Sequence, residues 1–164
     1  MINRRSFTSA AALFALTACA KSSFPVYAGP PVTSILVQKE RRKMYLMNDN
    51  TVLQEYDFEL GFAPRGHKEI EGDGKTPEGT YFIDRKNPNS SFHLSLGLSY
   101  PNTEDRANAA ALGQSPGGDI FIHGTPKLFQ RDTDWTWGCI AVTNNEIEDI
   151  YNMVNIGTPI FLFA

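Results

Sequence analysis

Two segments in the first half of the chain, residues 33–39 and 43–47, alternate apolar and polar side chains, and a third strand-like segment follows at residues 52–58. Only Glu40-Arg41-Arg42 and Asn48-Asp49-Asn50 separate them. Alternation with period two buries one face of an extended strand, and turns this short leave hairpins as the only way to join the strands. The rest of the chain continues in the same manner. Residues 60–79 are rich in Gly, Pro and charge and form a long ordered loop rather than a regular element. Residues 80–84 and 91–98 read as strands, with Tyr81 and Ile83 on one face of the first. Residues 119–123, 138–142 and 160–163 read as strands as well.

Helical signals occur twice. Over residues 102–112, Asn102 or Thr103 can cap, Glu104 and Asp105 fall in the first turn, and Gly113 lies past the end. Thr143-Asn144-Asn145-Glu146 is a capping box, followed by Ile147, Ile150, Tyr151 and Val154 at helical spacing, with Met153 as filler. There is no internal repeat and no alternation of strands with helices. The pattern predicts a mainly β, mainly antiparallel domain carrying two short helices.

Residues 1–19 read as an export leader and take no part in the fold. Arg4 and Arg5 precede a short apolar run at residues 10–16, too short to span a bilayer. Leu16-Thr17-Ala18-Cys19 is similar to the lipobox of bacterial lipoproteins, which implies lipidation at Cys19. Asn3-Arg4-Arg5-Ser6-Phe7 resembles, more weakly, a twin-arginine signal. Ala20 rather than Asp follows Cys19, which by resemblance to enterobacterial sorting rules implies the outer membrane, facing the periplasm. Residues 20–32 then form a tether, and residues 33–164 the folded domain.

Removing the leader takes away two arginines and no acids, moving the formal charge from −3 to −5. That balance argues against nucleic acid or an anionic lipid surface as partner; the membrane is reached through the N-terminal lipid only. One cysteine, Cys139, is left, so no intrachain disulfide can form. A lone thiol in an oxidising compartment is more simply explained by reactivity than by structure.

Cys139 has a partner close in sequence. His123 ends the apolar run 120–122, and Cys139 precedes the run 140–142. A histidine at one strand end and a cysteine at the start of the next can meet, which is what a thiol nucleophile and its base require. Other motifs fail on mechanism. Gly113-Gln114-Ser115-Pro116-Gly117 has the spacing of a nucleophilic serine, yet Pro116 lacks the backbone N–H that the oxyanion needs. Gly74-Lys75-Thr76 lacks the first glycine of a phosphate loop, and Pro77 blocks the helix. His67, in a polar loop, is expected to be solvated; His93, alternating with Phe92 and Leu94, is expected to face away from the core or into a cleft. No metal-ligand spacing is present, and neither metal nor organic cofactor is implied.

The segment His123-Gly124 with Thr136-Trp137-Gly138-Cys139-Ile140 resembles the signature of L,D-transpeptidase catalytic domains, the YkuD family. Gly72-Asp73, Thr76-Pro77-Glu78-Gly79 and Tyr81 resemble its upstream motif, and Gly61, Pro64 and Gly66-His67-Lys68 the stretch before that. The resemblance implies a β-sandwich. It also implies a cysteine acyl-enzyme acting on peptidoglycan stem peptides, with Cys139 as nucleophile, His123 as general base and Gly138 beside the oxyanion amides. Thr136 is expected to orient the imidazole, and Gly124 and Trp137 to border the substrate. Trp137 stands where many members carry a second His, and either walls the substrate or packs the loop; packing is favoured for Trp135. Ala141 replaces the usual Arg, and Arg131 is the candidate to supply a guanidinium from the intervening loop. Transfer to an amine is the first expectation. A hydrolase, either L,D-carboxypeptidase or amidase, and a non-catalytic wall-binding lipoprotein are the alternatives. A lowered thiol pKa would mark catalysis, and one near the free value of about 8.5 the non-catalytic case.

Overall fold

The computed structural model describes residues 27–164. The leader, Cys19 and most of the tether lie outside the described residues. The strands are β1 (Ser34–Gln38), β2 (Lys43–Asn48), β3 (Thr51–Asp57), β4 (Gly79–Ser90), β5 (His93–Leu98), β6 (Phe121–His123), β7 (Ile140–Ala141) and β8 (Pro159–Phe163). They form one sheet in the order β3-β2-β1-β8-β4-β5-β6-β7.

The sheet divides along β4. Gly79 to Phe82 pair with β8, whereas Ile83 to Ser90 pair with β5, so one strand serves two layers and the sheet folds back as a sandwich. The sequence pattern marks only residues 80–84 as this strand. Pro88 hides the rest, and register shifts between Asn87 and Ser90 accommodate it where the ladder is irregular. Five pairings are antiparallel; β1 with β8 and β6 with β7 are parallel. Parallel neighbours need a crossover. Between β6 and β7 that crossover is the loop that carries a short 3-10 turn (Lys127–Phe129), Trp135 and the Thr136-Trp137-Gly138 run.

Both helix starts are as the sequence predicts. Asn102 caps α1 (Thr103–Ala111) with Asp105 completing the box, and Thr143 caps α2 (Asn144–Met153) with Glu146. A single core joins Ile35, Val37, Met44 and Leu46 to Leu94, Leu96, Leu98, Ile122, Ile140 and the inner face of α2 at Ile147 and Ile150. Past β3 the chain continues along the far edge. Glu59 bridges Ala141 and Gly61 bridges Thr136, so the crossover loop is held from both sides.

Candidate functional site

Period two separates packing from chemistry in β5, β6 and β7. Leu96, Ile122 and Ile140 lie in one cross-strand row and are fully buried in the core. The rows on either side present the opposite face. One holds Ser95, His123 and Ala141; the other holds Gly97, Phe121 and, carrying the register back one residue, Cys139. His123 and Cys139 therefore share a face, one strand apart and two residues along. At ordinary strand spacing and rise their Cα atoms are about 8 Å apart, near enough for side chains to converge.

His123 is 3% exposed. Its Nδ1 lies 2.7 Å from the Gly124 carbonyl, which can only accept, so the neutral ring carries its proton there and leaves the Nε2 lone pair free. Phe92 stacks on the ring at 4.6 Å and Trp135 meets it edge-on at 5.6 Å. Burial pushes the imidazole pKa below its ordinary value; the bond to Gly124 opposes that in part.

Cys139 is a half-buried free thiol whose Sγ donates to the Asp119 carbonyl at 3.5 Å. Burial pushes its pKa up and the Asp119 charge adds to this, while the Phe121 amide and Lys68 pull the other way. The lowered pKa expected of a catalytic thiol is thus not met. Both groups rest neutral, so this arrangement suits proton removal by a base during attack rather than a standing ion pair.

Backbone builds the other flank of Cys139. Gly138 has φ +116, and a Cβ there would fall 2.4 Å from the Lys75 carbonyl oxygen. Gly61 abuts both Gly74 and Gly138, with its own Cβ direction 2.0 Å from Gly74 O. Thr76, fully buried, donates to Gly138 O at 2.8 Å. Asp73 fixes the loop beneath, accepting from Lys68 Nζ and from the amides of Glu69, Ile70 and Lys75. Burial alone would raise the Asp73 pKa; those donors outweigh it and hold it below the usual carboxylate value.

The remaining expected residues divide. Thr136 does not orient the imidazole: its hydroxyl accepts from Gly138 N and donates to Cys139 O at 2.8 Å, fixing the turn at Cys139. Gly124 is buried behind the ring against Phe92 O and Asn144, so it supports His123 rather than bordering an open cleft. Trp137 is 72% exposed and meets the exposed Phe62 edge-on at 5.3 Å, a two-ring wall beside Cys139. Trp135 packs, stacked on Phe129 at 4.4 Å. Arg131 is exposed in the crossover loop, with no hydrogen bond or ion pair to Cys139 or His123. His67 remains partly exposed, but it is also held: its ring accepts from Glu78 N and reaches buried Asp105. His93 does face outward, paired with Glu148 at 2.6 Å.

Sequence reasoning missed Phe62, Phe92 and Asp119 because each reaches the site through tertiary contact. Thr76 is visible in the sequence only as part of a motif, and a buried threonine before a proline gives no other signal. Among the described residues no three His, Cys, Asp or Glu side chains converge to hold a metal.

A mainly β sandwich with one thiol and one imidazole on a shared face defines a class, and comparison with known proteins narrows it. Residues 33–162 match the L,D-transpeptidase catalytic domain, YkuD, and the chain belongs to that family. It is 28% identical over 136 residues to YafK of Escherichia coli K12, a candidate L,D-transpeptidase, covering 77% of this chain and 48% of that one. A crystal structure of a point mutant of Pgp2, the helical cell shape determining protein of Campylobacter jejuni, superposes with TM-score 0.63 at 30% identity, covering 83% of this chain and 48% of that chain. An L,D-transpeptidase from Mycobacterium smegmatis shares the fold at TM-score 0.55 and 16% identity, over 81% of this chain and 59% of that one. The chain spans about half the length of the curated relative it matches.

Proposed function

We propose that this domain is a cell-envelope cysteine acyltransferase acting on peptidoglycan stem peptides. The observation that carries the reading is the shared face of His123 and Cys139, with the imidazole lone pair free at Nε2. In the proposed reaction His123 Nε2 takes the thiol proton as Sγ attacks the carbonyl of a diaminopimelyl residue. The oxyanion forms beside the 138–139 turn. Gly138 N–H already donates to Thr136 Oγ1 at 3.2 Å, which leaves the Cys139 amide as the candidate donor. The imidazolium then protonates the leaving amine, giving a thioester. An acceptor amine or water attacks that thioester with His123 again as base, and the thiol is restored.

Trp137 and Phe62 supply an apolar wall for the substrate methylenes. The substrate lies outside the cytoplasm, which fits an exported protein held at the outer membrane through lipid on Cys19. Labelling with a clickable fatty acid tests that anchor.

Incubation with imipenem and mass spectrometry tests the nucleophile: an adduct is expected on wild type and none on Cys139→Ala. Tetrapeptide turnover should fall to background in Cys139→Ala. Dimeric muropeptides among the products mean transfer, and shortened monomers mean hydrolysis. The raised thiol pKa favours a second reading, a wall-binding domain without turnover. That reading expects retention on purified sacculi with neither adduct nor product on wild type.

A further inference from the structure

The row that ends at Cys139 begins at an arginine. Arg85 on β4 is paired with Gly97 on β5, Gly97 with Phe121 on β6, and Phe121 stands beside Cys139. All four share a face. Gly97 has no side chain to obstruct the row: a Cβ there would fall 2.6 Å from Arg85 Cγ and 2.9 Å from its Cζ. Arg85 therefore lies across Gly97, with its guanidinium carbon 4.6 Å from the Phe121 ring centroid. Strands are about 4.8 Å apart, which brings this cation to the rim of the cysteine site.

Its partners define the ligand. Arg85 Nη1 donates to Asp84 at 2.9 and 3.1 Å, and Nη2 donates to Asp119 Oδ1 at 2.8 Å. Guanidinium has five N–H donors, so Nε and the outer terminal hydrogens are left over. The Arg85 and Asp119 side chains are 42% and 87% exposed, within reach of a bound molecule. One cation between two carboxylates leaves an excess negative charge, which would repel a ligand bearing only a carboxylate. A head carrying an ammonium and a carboxylate together fits both signs.

We propose that Arg85 and Asp119 recognise the zwitterionic amino-acid head at the far end of the diaminopimelyl side chain. Arg85 takes its carboxylate and Asp119 its ammonium. This rests on the acyl-transfer reading above. Five bonds separate the attacked carbonyl carbon from that head, about 6 Å when extended, which spans the distance from Cys139 past Phe121.

Two tetrapeptides test it, one with meso-diaminopimelate at the third position and one with L-lysine, which keeps the ammonium and lacks the carboxylate. The expected kcat/KM ratio on wild type is about tenfold in favour of diaminopimelate, the size of one partly exposed charge-assisted contact. Arg85→Gln should bring the ratio near one. Gly97→Ala should do the same by displacing the guanidinium while keeping its charge. Equal turnover of both peptides by wild type, or an unchanged ratio in Arg85→Gln, overturns the proposal. Binding of both peptides to Cys139→Ala, followed by NMR, separates it from the acyl-transfer reading. Preference in binding without wild-type turnover would refute the chemistry and keep the recognition. Binding without preference would refute the recognition, whatever the turnover.

Discussion

The two flanks of Cys139 are built from different material. On one side backbone meets backbone: Gly61, Gly74 and Gly138 pack where any Cβ would collide, and Thr76 and Asp73 supply the hydrogen bonds that hold the segments. On the other side His123 sits among rings, stacked under Phe92 and edge-on to Trp135, which in turn stacks on Phe129. The first flank fixes Cys139 and its neighbouring amides by exclusion of volume. The second fixes His123 by burial. Backbone contacts of this kind have no slack, whereas aromatic packing can trade one ring for another of similar shape.

The largest effect should follow from adding one methyl group to the backbone flank. Gly138→Ala must adopt φ +116 and meets Lys75 O at 2.4 Å. Destabilisation of about 3 kcal/mol is expected from the strain and overlap, with turnover falling on the order of 100-fold as the turn shifts. Thermal melting and kcat/KM check this. Near-normal values for both would mean that the flank yields.

Asp73→Asn should come next. Asparagine still accepts, but Lys68, only 3% exposed, loses its counter-charge. A cost of about 2 kcal/mol is expected, measured by urea unfolding at pH 7. The lowered carboxyl pKa gives a sign to check. The Asp73 contribution is present above the unfolded carboxylate value and is lost as pH falls through the lower folded one, so only wild type should show that loss.

Much of the backbone flank was legible in the sequence, and little of the aromatic one. Gly61, Gly72-Asp73, Thr76-Pro77 and Gly138 cluster in two short stretches, and glycine with proline in an ordered loop marks a constrained path wherever it occurs. The caps at Asn102 and Thr143 were legible for the same reason, being local. Phe129 and Trp135 lie in one loop, but Phe92 is more than thirty residues earlier and meets them and His123 only once β5, β6 and β7 are assembled. That pairing was not legible, because two short apolar runs look alike whichever way they align. Nor was the full length of β4, since a proline within a strand reads as its end.

The aromatic flank makes its own claim on pH. Burial holds His123 neutral and its pKa low, so protonation favours the unfolded chain. Stability from this group is complete above the unfolded value near 6.5 and declines as pH falls through the folded one. Wild type should therefore lose stability between pH 7 and pH 5 by more than His123→Gln does, as urea midpoints at both pH values would record. The acid limb of kcat/KM should lie below that of free imidazole. A limb above it would mean that the histidine is paired with the thiolate, and the resting description would be wrong.

The smallest effect is expected where intuition expects a large one. Trp135 touches His123 and stacks on Phe129, so its replacement looks severe. Its Nε1 is nonetheless buried without a hydrogen-bond partner. An unmet buried donor costs stability, so removing it recovers part of what the smaller ring gives up. Trp135→Phe keeps a flat ring for Phe129 and for the His123 edge. The two terms oppose each other, and a net change within about 1 kcal/mol is expected, with kcat/KM within about threefold. Trp135→Ala removes the ring itself and should cost about 3 kcal/mol. If Trp135→Phe proved as damaging as Trp135→Ala, the full width of the indole rather than a flat ring would be what holds His123 and Phe129 in place.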